Sequence, residues 1–569
     1  MSLRSSLSQA TQSMPVDTGT RQSFEYLLAQ VSKQLEDTLS ILEAPDPKLA
    51  RRVGAREDQI DVLKHTLKTR NLNRLGRMST IEKEDLDLTR AIDIIVDNLE
   101  SIADYCSSVL VQHGHLLDPC FVHQFEPANY VYPITQGLSH VMEGLFERRI
   151  EFAVTICASE QESDTQFKFH FDRIVAALKT GNDVEDLVSS LFILRYFERM
   201  ADALLNIGEA IIGTIVGEPL KFGQYIALGE SIEAGLGVGA SQRSEASQGI
   251  PIPEFQFESI AETRSGCRIG RVQVTESEST WAIFKEGDLE KVRKERDGIE
   301  RWYALDPSLA PRVFHYREAT DKASLLLEMI DGTTFQRITV DHTLAETAEA
   351  LEALDTSLSA VWKKTRVDGP SSAAHTKQLQ SRLDDVLHLH PDFDRSATGI
   401  GELEVPSLPD TLATLDEIEK ELVAPFAVLI HGDLNTDNIL YETAHRRISF
   451  VDLHRSRMTD YVQDVSVFLV SNIRLPIMED AVRQRLNWVT KEFLRFAIHF
   501  AAEEQDHAFQ ARLAVGLIRS LTTSTRFVMP EDLAKAMFLR ANYLLEKLLD
   551  HRGRPWESFQ LPADSLRFS

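Results

Sequence analysis

Long uncharged apolar runs are missing from this chain of 569 residues; none approaches the roughly 20 residues that a membrane-spanning helix requires. No transmembrane segment is therefore expected. The opening residues, MSLRSSLSQATQSMPVDTGTRQSF, lack the apolar core of a secretory signal, so the chain reads as cytoplasmic. Cysteine is scarce as well. Cys106, Cys120, Cys157 and Cys267 lie far apart with no CxxC pair, which argues against a disulfide scaffold and suits reduced thiols. Positive charge is the third shortage. Lys and Arg total 61 against 87 Asp and Glu, a formal net of -26, which speaks against nonspecific binding to nucleic acid or anionic membrane. Hydrophobic residues make up 43%, ample for real cores, and the length suggests about three or four units of roughly 150 residues.

Residues 1–20 have no periodic apolar positions and read as a mobile tail. From residue 21 to 225 the chain reads as long amphipathic helices, with apolar residues at three- and four-residue steps and Gly and Pro collected at joints such as EAPDPK. An all-α bundle follows. Inside it, DNLESIADYCSSV and RYFERMADALLNI echo each other. Each sets Glu and Asp four apart, Glu100 with Asp104 and Glu198 with Asp202, and Glu57 with Asp61 repeats the spacing earlier. Carboxylates sharing a helical face repel unless solvated, countered by basic groups, or shared by a metal. His113, His115, Cys120 and His123 are close in sequence, but their spacing fits no established zinc pattern. The segment 20–225 resembles the PhoU family of phosphate-uptake regulators, two three-helix repeats whose E(D)xxxD motifs hold metal clusters. The resemblance implies a divalent or iron-type metal at these pairs and a partner in phosphate signalling or transport. In the second repeat the earlier motif is expected near QFKFHFDRI, where Lys168 precedes Asp172 and leaves one cluster incomplete; Ala103 and Ala201 stand where the family often has Gly.

Residues 226–255 are dense in Gly, Ser and Ala and read as a flexible linker. Short strand-like runs follow within residues 256–332, and then a largely helical region, 333–569, that contains the most informative stretch. Over residues 426–468 an apolar run delivers His431, Gly432 and Asp433 into a loop; Asn438 stands five residues after Asp433, and Asp452 fourteen after that, at the end of a second apolar run. Phosphoryl transfer from ATP needs a carboxylate near the attacking hydroxyl and oxygen ligands for the bridging magnesium. HGDxxxxN followed by a strand ending in Asp resembles the aminoglycoside phosphotransferase-like branch of the kinase-like fold. That resemblance implies Asp433 as catalytic base, Asn438 and Asp452 as Mg2+ ligands, and His431 and Asp464 as structural braces of the loop. It also implies Lys285, in WAIFKEG, on the ATP phosphates, with Glu295 as its partner and Glu300 as the alternative. Gly266 and Gly270 would belong to the phosphate-covering loop, and Glu328, Met329 and Ile330 to the adenine-binding hinge. Gly432 replaces the Arg of the protein-kinase HRD motif, and neither DFG nor APE follows, so a small-molecule hydroxyl is the expected acceptor.

The expectation is a multidomain chain: an N-terminal PhoU-like helical bundle, then a C-terminal α+β bilobal protein-kinase-like fold. Its activity would be ATP- and Mg2+-dependent phosphotransfer to a hydroxyl of a small molecule, regulated or localised by the bundle. A noncatalytic nucleotide- and metal-binding regulator of phosphate signalling and a protein kinase are the alternatives; antibiotic resistance would rest on fold analogy alone.

Overall fold

The computed structural model describes residues 18–76, 82–237, 255–262, 268–274, 280–401, 403–528 and 530–567. Most of the expected mobile tail, and Gly266, lie outside the described residues. The chain divides into two compact units, Met1–Glu286 and Gly287–Ser569.

The first unit is built on long helices: α1 (Thr18–Glu43), α2 (Pro47–Leu75), α3 (Lys83–His113), α4 (Ala128–Ser139), α5 (Val141–Phe146), α6 (Ile150–Leu178), α7 (Val184–Val216) and α8 (Phe222–Leu236). Asp46 caps α2 by accepting from the Lys48 N–H, with Pro47 in the first turn where no N–H is needed. The core follows the helical period. Ile92, Leu99, Ile102 and Cys106 of α3 are buried, as are Leu194, Phe197, Leu204 and Ile211 of α7. Ala103 and Ala201 are buried too, small enough for close helix packing.

The stretch expected to open a flexible linker is helical through Leu236. Tyr225, Leu228 and Ile232 repeat at three and four residues, and burying that stripe overrides the Gly content. Strands β1 (Phe255–Glu262), β2 (Arg268–Val274) and β3 (Thr280–Asp288) form the expected antiparallel meander. Tyr225 of α8 stacks on Phe255 of β1 at 5.5 Å, and Gln224 Nε2 donates to Glu286 at 2.7 Å, so helices and meander pack within one unit.

The second unit begins with helix α9 (Leu289–Leu305) and the hairpin β4 (Val313–Glu318) and β5 (Lys322–Glu328). The elements that position the site are β6 (Ala424–Ile430), the hairpin β7 (Ile439–Glu442) and β8 (Arg447–Phe450), β9 (Arg457–Thr459), helix α10 (Val462–Ile473) and helix α11 (Phe509–Ser524). β6 pairs antiparallel with β9. Trp302 of α9 donates to Ser456 Oγ at 2.7 Å, and Ser456 donates to the Ile430 carbonyl at 2.8 Å, which ties helix, loop and strand end together. Gly298 lets α9 lie against that loop, because a Cβ there would sit 2.3 Å from the Leu453 carbonyl oxygen.

Candidate active site

Strand β6 ends at His431, and the turn that follows is fixed by hydrogen bonds. The His431 and Gly432 N–H groups donate to the two carboxylate oxygens of Asp464 at 2.7 and 2.8 Å, and Gln463 Nε2 donates to the Gly432 carbonyl at 2.8 Å. Both acceptor and amide come from the first turn of α10. Asp464 is fully buried, and burial raises its carboxyl to about 7 against the opposing pull of the two N–H donors. The His431 ring lies 3.0 Å from the Val451 carbonyl through Nε2 and receives the Asp433 N–H at Nδ1, 3.3 Å away. A carbonyl only accepts and an N–H only donates, so the ring is the neutral tautomer protonated at Nε2, consistent with burial lowering its pKa. Gly432 has φ +85°, and a Cβ would lie 2.2 Å from the Arg455 carbonyl oxygen. Backbone conformation and space both require glycine.

Asp433 is held at both oxygens: Oδ1 accepts from Asn435 Nδ2 and Oδ2 from Arg455 Nη1, each at 2.9 Å. Asn438 Nδ2 donates to the Asp433 carbonyl at 2.9 Å, which fixes the orientation of its amide. Its carbonyl accepts from Val451 N–H at 3.0 Å, so Asn438 and the end of β8 are neighbours. Asp452 follows with φ 60° and ψ 51°, a left-handed conformation that Asp tolerates better than most residues, and its Oδ1 lies 2.9 Å from His454 Nδ1. The Asn438 amide oxygen and the Asp452 carboxylate are the hard oxygen donors that suit Mg2+. A cavity of about 680 Å³ opens beside Asp433.

Two family models match the chain. The PhoU domain matches residues 25–111 and 134–211, and the phosphotransferase enzyme family matches residues 272–497. The chain joins a PhoU domain to a phosphotransferase-family domain. Kinases of the latter family use ATP with Mg2+ and phosphorylate hydroxyls of small molecules. A phosphate-specific transport system accessory protein PhoU homolog of Clostridium acetobutylicum is 22% identical over 193 residues, 33% of this chain and 88% of that protein. The crystal structure of PhoU from Pseudomonas aeruginosa is 20% identical, with a TM-score of 0.32, covering 35% of this chain and 96% of that one. An ethanolamine kinase of Plasmodium vivax is 13% identical, with a TM-score of 0.34, covering 55% and 86% respectively.

Of the other residues expected in the phosphotransferase domain, Lys285 lies on β3 and is buried. Glu295 on α9 is buried and Glu300 exposed, which favours Glu295 as the structured carboxylate of that helix. Gly270 is a correction. It sits inside β2, opposite Ser259 and Phe284, and a Cβ there would meet the Phe257 ring at 1.9 Å, so glycine serves strand packing rather than a phosphate-covering loop. At the expected hinge, the Glu328 N–H donates to the Arg312 carbonyl at 2.9 Å and the Ile330 carbonyl accepts from Gly332 N–H at 3.1 Å.

In the PhoU domain, Glu57, Glu100 and Asp104 lie on facing helices. Glu57 accepts from Ser107, Lys64 pairs with Glu100 at 2.9 Å, and burial, then Glu100, Glu57 and Asp61, raise Asp104 to about 6. The second repeat differs from expectation. Lys168 and Asp172 are exposed, while Glu160 and Asp164, two turns earlier on α6 and also four apart, lie near Glu198 and Asp202 of α7; burial first, then neighbouring carboxylates including Asp164, raises Glu160, Glu198 and Asp202. Arg195 pairs with Glu198 and Arg199 with Asp202. Among the described residues no group of three or more His, Cys, Asp or Glu is disposed to hold a metal ion. His113 and His123 meet the carbonyls of Pro119 and Leu42. The Glu160 spacing was readable in ASEQESD. Arg455, His454 and the arginines of the cavity carry no motif, and only folding gathers them.

Proposed function

We propose that the chain is an ATP- and Mg2+-dependent phosphotransferase whose acceptor is a hydroxyl of a small molecule, with the PhoU domain regulating or localising it. The observation that carries this reading is the Asp433 carboxylate, held by Asn435 and Arg455 at the edge of a cavity on a turn that Asp464 fixes, with Asn438 and Asp452 beside the same loop. Mg2+ held by Asn438 and Asp452 would neutralise charge on the ATP phosphates. Asp433 accepts a hydrogen bond from the acceptor hydroxyl and orients its oxygen toward the γ-phosphorus. As the new O–P bond forms and the bond to the ADP oxygen breaks, the hydroxyl proton passes late to Asp433. Lys285 is assigned to the ATP phosphates and Glu295 to its support.

The preformed support is what makes the loop suited to this task, since positioning accounts for most of the catalysis in phosphoryl transfer. A noncatalytic regulator would need none of it. The carboxylate pairs Glu57/Asp61, Glu100/Asp104 and Glu198/Asp202 give the PhoU domain its input, through phosphate-linked signalling or a transport partner; their basic neighbours leave a further metal without a fitting site among the described residues.

Calorimetric titration with Mg-ATP, followed by a metabolite-pool screen with labelled ATP, tests the reading. Asp452→Ala abolishes metal-dependent nucleotide binding, and unchanged affinity removes Asp452 from the site. Asp433→Asn keeps ATP affinity and lowers turnover by roughly a hundredfold or more, as expected for loss of general-base assistance. Turnover equal to wild type rejects the assignment of Asp433.

A further inference from the structure

The cavity beside Asp433 is cationic in a chain whose formal net charge is -26. Eight Lys and Arg side chains line it against two Asp. Helix α11 shows that these are not all internal ion pairs. Its first buried arginine, Arg512, is neutralised by protein: Nε donates to Asp460 at 2.8 Å and Nη2 to Asp506 at 2.6 Å. Two turns on, Arg519 lines the cavity, is 4% exposed, and makes no direct ion pair with a carboxylate, though Asp433 and Asp464 are near enough to act on it through their charge. Its one hydrogen bond is from Nη2 to Ser466 Oγ at 3.3 Å, and its Nε has no partner. Half-buried Arg382 also lines the cavity, and its guanidinium makes no hydrogen bond or ion pair among the described residues. Burial, then the Arg382 charge and, against the opposing pull of Asp433, those of Arg455 and Arg457, bring Arg519 down to about 9, so the nearby carboxylate does not offset the crowding of guanidiniums.

Arginine stays protonated under ordinary conditions, so a buried guanidinium that no protein carboxylate contacts has donors left for an anionic ligand. We propose that the acceptor is an anionic hydroxyl compound that already carries a phosphate group, and that Arg519 and Arg382 receive that group while Asp433 takes the hydroxyl. This substrate class rests on the phosphotransferase reading. Two unpaired guanidinium forks match the nearly two negative charges of a phosphate monoester near neutral pH and can grip its oxygens bidentately. A polycationic aminoglycoside would instead meet a wall of like charge, and an uncharged polyol would leave both guanidiniums bare.

The test uses the full-length protein, saturated with Mg2+ and a non-hydrolysable ATP analogue, and titrated calorimetrically. The probes are glycerol 3-phosphate, ribose 5-phosphate, glucose 6-phosphate, the three parent alcohols, and kanamycin. At least one phosphate ester is expected to bind tenfold or more tighter than its parent, and Arg382→Gln to weaken that binding tenfold or more. Arg519→Lys, checked for folding by circular dichroism, provides a second variant should Arg382→Gln misfold. Four results overturn the proposal: no ester binds better than its parent, kanamycin binds best, both variants bind as wild type, or the esters displace the ATP analogue. In the last case the arginines serve the nucleotide. Binding of the analogue, and its loss in Asp452→Ala, is read first and separately. Ester binding without analogue binding would keep the anion site and reject the kinase reading.

Discussion

Both compact units concentrate charge of one sign, and they handle it differently. In the PhoU domain, carboxylates on α2, α3, α6 and α7 crowd one another, yet they are only partly buried. Lys64 and Arg195 counter Glu100 and Glu198, and Asp104 answers the rest by holding its proton more tightly, up to about 6. In the phosphotransferase domain, Arg519 has neither solvent nor a directly paired carboxylate, and a guanidinium does not readily give up its proton. A carboxylate can discharge itself within the physiological range, and an arginine cannot. Crowded acids are therefore tolerable in the resting protein, whereas a buried bare arginine points to an anion that arrives from outside.

Arg512→Met would sharpen that comparison most. It strips the cation from between buried Asp460 and Asp506, and the second unit should lose about 3–5 kcal/mol, as when one partner of a buried ion pair is removed. Tryptophan fluorescence in urea reads this unit, which holds Trp302, Trp362, Trp488 and Trp556 of the five tryptophans. A loss under about 1 kcal/mol would mean that the two arginines of α11 are not so different. Asp104→Asn probes the acidic side. With its pKa raised in the folded state, Asp104 binds a proton that the unfolded chain has already lost between about pH 4 and 6, so folded-state stability declines as pH rises through that window. Asn removes the decline, worth about 1 kcal/mol after screening of this partly exposed group. The difference between wild type and variant in helical circular dichroism melts at about pH 4 and about pH 7 measures it, and parallel pH dependences would show that Asp104 is not crowded. The smallest effect belongs to Arg519→Met. Without ligand it should be neutral or stabilising by about 1 kcal/mol, because it removes a desolvated charge that no protein carboxylate contacts directly. A large destabilisation would place an unrecognised counter-ion on Arg519 and break the contrast with Arg512.

Much of this was open to sequence reading because the relevant information is local. Period-3.6 apolar stripes fix the bundle helices, alternation fixes the meander, and His431, Gly432, Asp433, Asn438 and Asp452 occupy a stretch short enough for one turn and one hairpin to set their geometry. The Glu-x-x-x-Asp pairs are legible for the same reason, Glu160 and Asp164 included. Gly content misled where burial overrode it, in α8, and Gly270 looked like a loop residue until the Phe257 ring was found over it. Composition, with its excess of acid, gave no hint of a cationic cavity. Arg382, Arg455 and Arg519 come from a helix connection, a loop after β8 and the middle of α11. Each is an ordinary arginine in its own segment. Only the tertiary structure decided that Arg512 meets two aspartates while Arg519 faces a cavity, because burial and counter-charge are properties of neighbours brought from distant parts of the chain.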